Sequence, residues 1–108
     1  MKLPKRPTEE FKHTLDAHEK IENAPEFTLK PLTVGKFDEV LNLTTAGKQI
    51  TGYRMACLYG IKNWENLEPE FNEATLADSL TRFPVEWLVE LANKILDSSA
   101  VKEPEKNS

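Results

Sequence analysis

The stretch PVEWLVELANKILDS, residues 84–98, determines the fold class of this 108-residue chain. Its apolar residues recur at helical spacing, so Leu88, Leu91 and Ile95 form one stripe. Pro84 suits the first turn of a helix, because proline has no N–H to donate and its φ is already helical. We therefore predict an amphipathic helix over residues 84–98 that packs its stripe into a core.

Two further helices are predicted upstream of this segment. The first begins after Thr33, a good N-cap, and its face carries Val34, Phe37, Val40 and Leu41. The second covers residues 49–59 and has its own apolar stripe, with a glycine placed to end it.

The second of these helices carries Ile50, Tyr53 and Cys57 on its apolar stripe. Gly52 lies inside the helix, where glycine costs about 1 kcal/mol relative to alanine. A glycine at that position indicates close approach of a neighbouring backbone. Gly60 is predicted as the residue that terminates the helix.

The remaining segments give weaker patterns. Residues 9–21 are predicted as a loosely docked helix with a thin apolar stripe, and residues 27–32 as a short edge strand. Residues 62–74 are expected to be irregular. A short helical turn over residues 76–80 begins after Thr75.

These elements predict a mainly α fold: a small single-domain helical bundle of about four helices, with at most a short strand near residues 27–32. We expect a flexible N-terminal lead at residues 1–7, a helical domain at 8–98 and a disordered tail at 99–108. The expected core consists of Phe37, Leu41, Ile50, Tyr53, Cys57, Leu88, Leu91 and Ile95.

Composition excludes several classes of function. The chain has 14 basic and 18 acidic residues and a net charge of -4, which argues against nucleic-acid binding. Its one basic cluster, Lys2, Lys5 and Arg6, is interpreted as part of the flexible lead. A single cysteine, no secretory signal and no long apolar run predict a cytoplasmic protein without a membrane span.

Catalytic and metal-binding patterns are weak in this sequence. His13 and His18 are five residues apart, which places them on different faces of the predicted helix, so both are interpreted as solvated side chains. Cys57 lies on an apolar stripe and is interpreted as a small buried hydrophobe. The four glycines are scattered and form no phosphate-binding loop. We therefore predict no enzyme activity, no catalytic residues, no metal and no cofactor.

Residues 64–73 form the candidate protein-binding segment. Trp64, Leu67 and Phe71 are interleaved there with acidic residues such as Glu65 and Glu68. Exposed aromatic side chains can anchor a protein partner, while the carboxylates keep the free protein in solution. The equally weighted alternative is that Trp64 completes the core and the acidic residues only solvate a loop.

Three stretches resemble tail assembly chaperones of long-tailed bacteriophages. They are LKPLTVGKFDEV at 29–40, YRMACLYGIKNWENL at 53–67, and LTRFPVEWL at 80–88 entering a helix that ends in LANKIL. Together they cover roughly residues 27–97. Residues 8–21 have no counterpart in the family pattern, which leaves the role of that segment open.

The resemblance implies a function without catalysis. Chaperones of this family coat the helical tape measure protein during tail assembly, prevent its aggregation and help recruit tail tube subunits. Many are made in two lengths by ribosomal frameshifting, and this chain would correspond to the short form. By resemblance, the expected partners are a tape measure protein and a tail tube protein, with a homo-oligomer also possible.

Two alternatives stay open on the sequence alone. One is a small acidic regulatory module, antitoxin-like or anti-repressor, of bacterial or phage origin. A basic recognition surface would favour it, and the sequence shows none. The other is an enzyme subunit or a very small hydrolase, which would require a clustered catalytic set.

Overall fold

The described part of the chain, residues 8–100 in this computed structural model, combines an antiparallel sheet with four α-helices. The strands are β1 (Phe11–Thr14), β2 (Glu26–Leu29) and β3 (Ile61–Glu65), and the helices are α1 (Val34–Thr45), α2 (Gln49–Gly60), α3 (Leu76–Leu80) and α4 (Val85–Ser99). Single 3-10 turns occur at Asp16–His18 and Glu73–Thr75. The prediction of a mainly helical domain with about four helices is confirmed in this coarse form, but the sheet is larger than one short strand.

The sheet has β2 at its centre. β1 pairs antiparallel with β2 on one side, and β3 pairs antiparallel with β2 on the other, where Phe27 lies opposite Trp64. The register between β2 and β3 is irregular at Thr28 and Leu29. β3 begins directly after α2 without a loop, and the Lys30 N–H donates to the Gly60 carbonyl at 2.7 Å. This pairing joins the end of α2 to the sheet.

The predicted N-terminal helix over residues 9–21 is wrong, because this segment forms β1 and a 3-10 turn. Phe11 and Leu15 are four residues apart, a spacing that fits both a helix and a strand. Phe11 and His13 are half-buried in β1 and Leu15 is buried directly after it, whereas Lys12 is exposed. Pairing with β2 supplies backbone partners to a segment whose apolar stripe is too thin to hold a helix on the core.

The prediction that residues 62–74 are irregular is wrong at its start, where β3 extends to Glu65. The predicted strand at 27–32 is confirmed as β2, although the strand is central rather than at an edge because Pro31 lies beyond its end. Within β3, Ile61 and Trp64 are buried and the residues between them are exposed. A strand usually buries every second residue, so the spacing of three between Ile61 and Trp64 does not show the pattern by which a strand is recognised in a sequence.

The other four predicted helices are confirmed, with local details that explain them. The Thr33 side chain accepts the Lys36 N–H at 3.5 Å and caps α1. Gly47 has a φ of 82°, which favours glycine in the turn before α2. A Cβ on Gly52 would lie 2.8 Å from the Thr44 methyl group, so the predicted close approach of a neighbouring helix at this glycine is confirmed.

The core predictions are correct for α4 and partly wrong for α1 and α2. Cys57, Leu88, Leu91 and Ile95 are buried, whereas Phe37 and Tyr53 are half-buried at the edge of the core. Leu41 and Ile50 are 38% and 39% exposed, which contradicts their predicted burial. In α1 the buried residue is Val40, which contacts α2 beside Gly52. Leu41 is the next residue, so its side chain is rotated by about 100° from this contact and stays exposed.

Sheet and helices share one core, which sequence periodicity identifies only in its helical half. Its buried members absent from the prediction are Leu15, Phe27, Leu29, Leu32, Val40, Ala56, Ile61, Trp64, Leu76, Leu80 and Ala92. Six of these lie in the strands or in the turns that flank the sheet. Within the described residues, no helix combines the length and apolarity that a membrane crossing requires.

The helix predicted to end at about Ser98 extends to Ser99, the residue at which the C-terminal tail is predicted to begin. Ser99 ends α4 and is buried, and its hydroxyl accepts the Leu32 N–H at 2.7 Å. This bond links the end of α4 to the start of the α1 segment. The predicted lead at residues 1–7 and the tail beyond residue 100 lie outside the described residues.

Candidate protein-binding groove

Aromatic side chains from separate parts of the chain form one cluster below the 66–72 loop. Phe27 from β2 contacts Trp64, Phe83 and Trp87 with ring centroids 5.9–6.2 Å apart. Trp64 also meets Phe71 edge to face at 5.1 Å. Edge-to-face pairs contribute about 0.5–1.5 kcal/mol beyond their buried area, so the cluster stabilises the part of the core on which the 66–72 loop lies.

The loop after β3 is held against this cluster by hydrogen bonds. The Trp64 indole N–H donates to the Pro69 carbonyl at 2.9 Å. The Asn72 side chain accepts the Ala74 N–H at 2.8 Å at the start of the next 3-10 turn. The Asn66 amide donates to the Ala24 carbonyl at 3.3 Å, and Asn66 itself has a φ of 59°. Both ends of the loop are therefore positioned by side-chain contacts.

A groove with a volume of about 250 Å³ lies between this loop and the α3–α4 connection. Here it is called the aromatic groove, and its lining residues are Trp64, Leu67, Glu68, Pro69, Ser79, Arg82, Phe83, Pro84 and Trp87. Most of these side chains are apolar. Concave apolar surfaces with a few polar groups at the edge are typical of binding sites.

The loop that forms one wall of the aromatic groove is acidic. Glu68 lies in its lining, and Glu65 and Glu70 are exposed in the same loop region. Arg82 is the one basic residue of the lining, and its guanidinium forms an exposed ion pair with Asp78 at 3.0 Å. Within the lining, Glu68 and Arg82 have opposite charges, so the excess negative charge comes from the loop beside the groove. Glu68 and the exposed Glu70 are here called the acidic rim.

The aromatic groove brings together three of the five residues predicted as a protein-binding surface. Trp64, Leu67 and Glu68 line it, and Phe71 contacts the Trp64 ring beside it. Glu65 instead lines a separate hollow near the N-terminal hairpin. Trp64 is only 5% exposed, which agrees with the alternative that its ring completes the core. Leu67 and Phe71 are half-buried, and Glu65 and Glu68 are exposed.

Sequence reasoning misses the opposite wall of the groove, formed by Phe83, Pro84 and Trp87. In the sequence, Arg82-Phe83-Pro84 indicates only a helix boundary, and Trp87 only a neighbour of the α4 stripe. One available signal is that Trp87 falls beside the buried stripe in the first turn of α4. A large aromatic residue at that position has room to cover the end of the core and face a neighbouring loop.

The structure agrees with the interpretation of Cys57 as a buried hydrophobe. Its side chain is fully buried, and its thiol lies 3.7 Å from the Leu88 carbonyl. Burial raises the pKa of Cys57 to about 12, because the thiolate would lose its hydration. A thiol with that pKa is protonated at neutral pH and is a poor nucleophile.

The two histidines are not the solvated side chains that the sequence predicts. His13 is half-buried, and its Nε2 contacts the Glu90 carboxylate at 2.5 Å. The same carboxylate oxygen accepts the Asp16 N–H at 2.9 Å. His18 is also half-buried, with its ring 5.4 Å from the ring of Trp87. Both residues dock the N-terminal hairpin on α4.

One group of side chains has donor types that suit a metal ion. His13, Asp16 and Glu90 each offer a ligand atom, and these atoms lie within 4.8 Å of one another. Imidazole and carboxylate are ligands that Zn²⁺ accepts. However, the contact between His13 and Glu90 has hydrogen-bond geometry, and the oxygen that accepts it also accepts a backbone N–H. The arrangement is explained by its role in holding β1 against α4.

Comparison with known proteins gave no match: no protein-family model, no curated protein and no solved structure is significantly similar to this chain.

Proposed function

We propose that this chain is a non-catalytic tail assembly chaperone that acts in the cytoplasm of a bacterial host. It binds a helical segment of a tape measure protein and helps recruit tail tube subunits. The single observation that supports binding is the aromatic groove, in which Leu67, Phe83 and Trp87 form an apolar concave surface at the edge of the core. The family is proposed from the resemblance of residues 27–97 to these chaperones.

The shape of the aromatic groove suits a protein partner. A helix that docks in a groove inserts large apolar side chains spaced by one turn, and grooves of this kind are lined by apolar and aromatic residues. Half-buried side chains such as Leu67 and Trp87 can cover such an anchor without unfolding of the chaperone. A protein of this kind would shield the apolar stripe of a long helix from aggregation.

Co-expression tests this function directly. The chain is produced with the tape measure protein and the tail tube protein of the same gene cluster, and the soluble complex is purified through a tag on the chain. We expect the tape measure protein to remain in solution and to co-purify only when the chain is present. Tape measure protein that aggregates equally with and without the chain would overturn the proposal.

A matched pair of variants connects the function to the groove. Leu67→Ala removes part of the groove wall, whereas Leu41→Ala removes the same side chain from the exposed surface of α1. We expect Leu67→Ala to reduce co-purification and Leu41→Ala to leave it unchanged, with both variants folded by circular dichroism. Equal co-purification by both variants would exclude the groove as the binding surface.

A further inference from the structure

The distribution of charge around the aromatic groove specifies its partner further. We propose that the groove binds a cationic segment of protein, with a large apolar side chain in the groove and flanking lysine or arginine residues against the acidic rim. This inference rests on the proposed function only in taking the occupant to be a protein. It names the chemistry of the partner segment, which the resemblance does not supply.

The dimensions of the groove favour an anchor side chain over a small-molecule ligand. Its volume of about 250 Å³ lies below the roughly 300–1,000 Å³ that is usual for sites that enclose a drug-sized ligand. Pro69 and Pro84 at its edge have no N–H to donate, and the Trp64 N–H is already bonded to the Pro69 carbonyl. The polar side chains of the lining are Glu68, Ser79 and Arg82, and its other six residues offer apolar contact to an occupant.

Negative charge is concentrated in the part of the chain that builds the groove. Residues 63–93 contain seven acidic residues and one basic residue, while the rest of the chain contains 13 basic and 11 acidic residues. The single basic residue, Arg82, is paired with Asp78. Glu65, Glu68 and Glu70 are exposed without an ion-pair partner among the described residues.

This charge distribution selects among possible occupants. A lysine- or arginine-rich segment gains attraction from the rim and associates faster, whereas an acidic segment is repelled. A second copy of this chain would bring its own acidic loop close to this one, and its net charge of -4 opposes association at this surface. A cationic partner segment is therefore the occupant that the charges favour.

The chain contains its own reporter for occupancy of the groove. It has two tryptophans, Trp64 and Trp87, and both line the groove. An apolar side chain that enters the groove displaces water from the indole rings and changes their emission. Intrinsic fluorescence therefore measures binding at this site without a label.

A pair of short amphipathic peptides tests the inference. Both have the same leucine face, and their polar positions are all lysine in one peptide and all glutamate in the other. We expect the lysine peptide to give a saturable change in tryptophan emission that weakens as salt screens the rim, and the glutamate peptide to give none. Equal binding of the two peptides would overturn the inference, as would no binding of either.

Charge-neutralising variants connect this preference to the rim. The groove variant carries Glu68→Gln and Glu70→Gln. The control variant has the same change in net charge at exposed positions outside the groove lining, through Glu9→Gln and Glu10→Gln. We expect the Kd of the lysine peptide to rise about threefold or more in the groove variant only, because close charges act more strongly than distant screened ones.

The same variants separate this inference from the proposed function. If the tape measure protein co-purifies equally with wild type and with the groove variant, the chaperone function stands and the cationic preference is wrong. If the peptides behave as expected and no tape measure protein co-purifies, the preference stands and the chaperone function is wrong. Concentration-dependent dimerisation that changes tryptophan emission would assign the groove to a second copy and overturn the inference.

Discussion

Replacing Gly60 with alanine tests the packing of α2 against α4, which positions Trp87 over the core. A Cβ on Gly60 would lie 2.6–2.8 Å from three side-chain carbons of Ile95. Ordinary contact begins at 3.4 Å, so the Ile95 side chain has to withdraw by roughly 0.6–0.8 Å. Ile95 is fully buried, and its movement pushes into the neighbouring core side chains.

The expected cost depends on two opposing effects. Overpacking of a core costs about 1–3 kcal/mol, while alanine gains up to about 1 kcal/mol over glycine in a helix. The gain is small at Gly60, because this residue ends α2. We therefore expect the free energy of unfolding to fall by about 1–2 kcal/mol, which lowers the Tm of a domain of this size by roughly 4–15 °C.

The assay is urea and thermal unfolding monitored by circular dichroism, with Gly35→Ala as the matched control. A Cβ on Gly35 meets nothing within 4 Å, so this variant should be as stable as wild type or more stable. A double-mutant cycle with Ile95→Ala removes the three colliding atoms. Ile95→Ala alone should cost about 2–5 kcal/mol, and its cost should be about 1–3 kcal/mol lower when Gly60→Ala is present.

Two results would contradict this description of the packing. One is a Gly60→Ala variant with the same stability as wild type. The other is a cycle in which the two single effects add, because additivity would mean that Gly60 and Ile95 do not share the contact.

Three other contacts give predictions of their own. Burial raises the pKa of the Cys57 thiol from 9.0 to about 12, so its contribution to stability is complete below pH 9 and is lost as the pH rises toward 12. Between neutral pH and pH 10, the free energy of unfolding in urea should fall by about 1.4 kcal/mol more in wild type than in Cys57→Ala. An equal fall in both proteins would contradict this. Trp64→Ala should lower the free energy of unfolding by about 3–5 kcal/mol if the ring is part of the core, whereas unchanged stability with lost partner binding would support a direct contact with the partner. Protein purified without added zinc should contain less than stoichiometric metal, and stoichiometric zinc that disappears in His13→Ala would show that His13, Asp16 and Glu90 form a metal site.

The sequence predicts the helices because each has a long apolar stripe with local end signals. In α4, Leu88, Leu91 and Ile95 repeat at helical spacing over several turns, and all three are buried. The buried residues of α1 cannot be identified in this way. The predicted face includes both Val40 and Leu41, and the contact between α1 and α2 at Gly52 buries Val40 while Leu41 stays exposed.

The strands are harder to predict because their partners are distant in sequence. β1 has four residues, and its register depends on β2, which lies after a turn of irregular structure. The spacing between Phe11 and Leu15 fits either period, so local pattern alone cannot distinguish a strand from a helix there. β3 starts immediately after α2, at a glycine that marks the end of a helix but does not indicate that a strand comes next.

Only one half of the candidate site is predictable from the sequence. The interleaved aromatic and acidic residues of the 64–73 segment are adjacent in sequence, and three predicted members line the groove. Phe83 and Trp87 are brought there by the packing of α4 against the sheet, through contacts with Phe27 that local sequence does not encode. The burial of Trp64 likewise depends on its pairing with β2.

Binding of the tape measure protein in the aromatic groove is tested by a fluorescence titration of this chain with a tryptophan-free helical segment of that protein. We expect a saturable change in the emission of Trp64 and Trp87, with a weaker affinity for Leu67→Ala and an unchanged affinity for Leu41→Ala. Binding that leaves the tryptophan emission unchanged, or that is the same for wild type and both variants, would show that the partner does not occupy the aromatic groove.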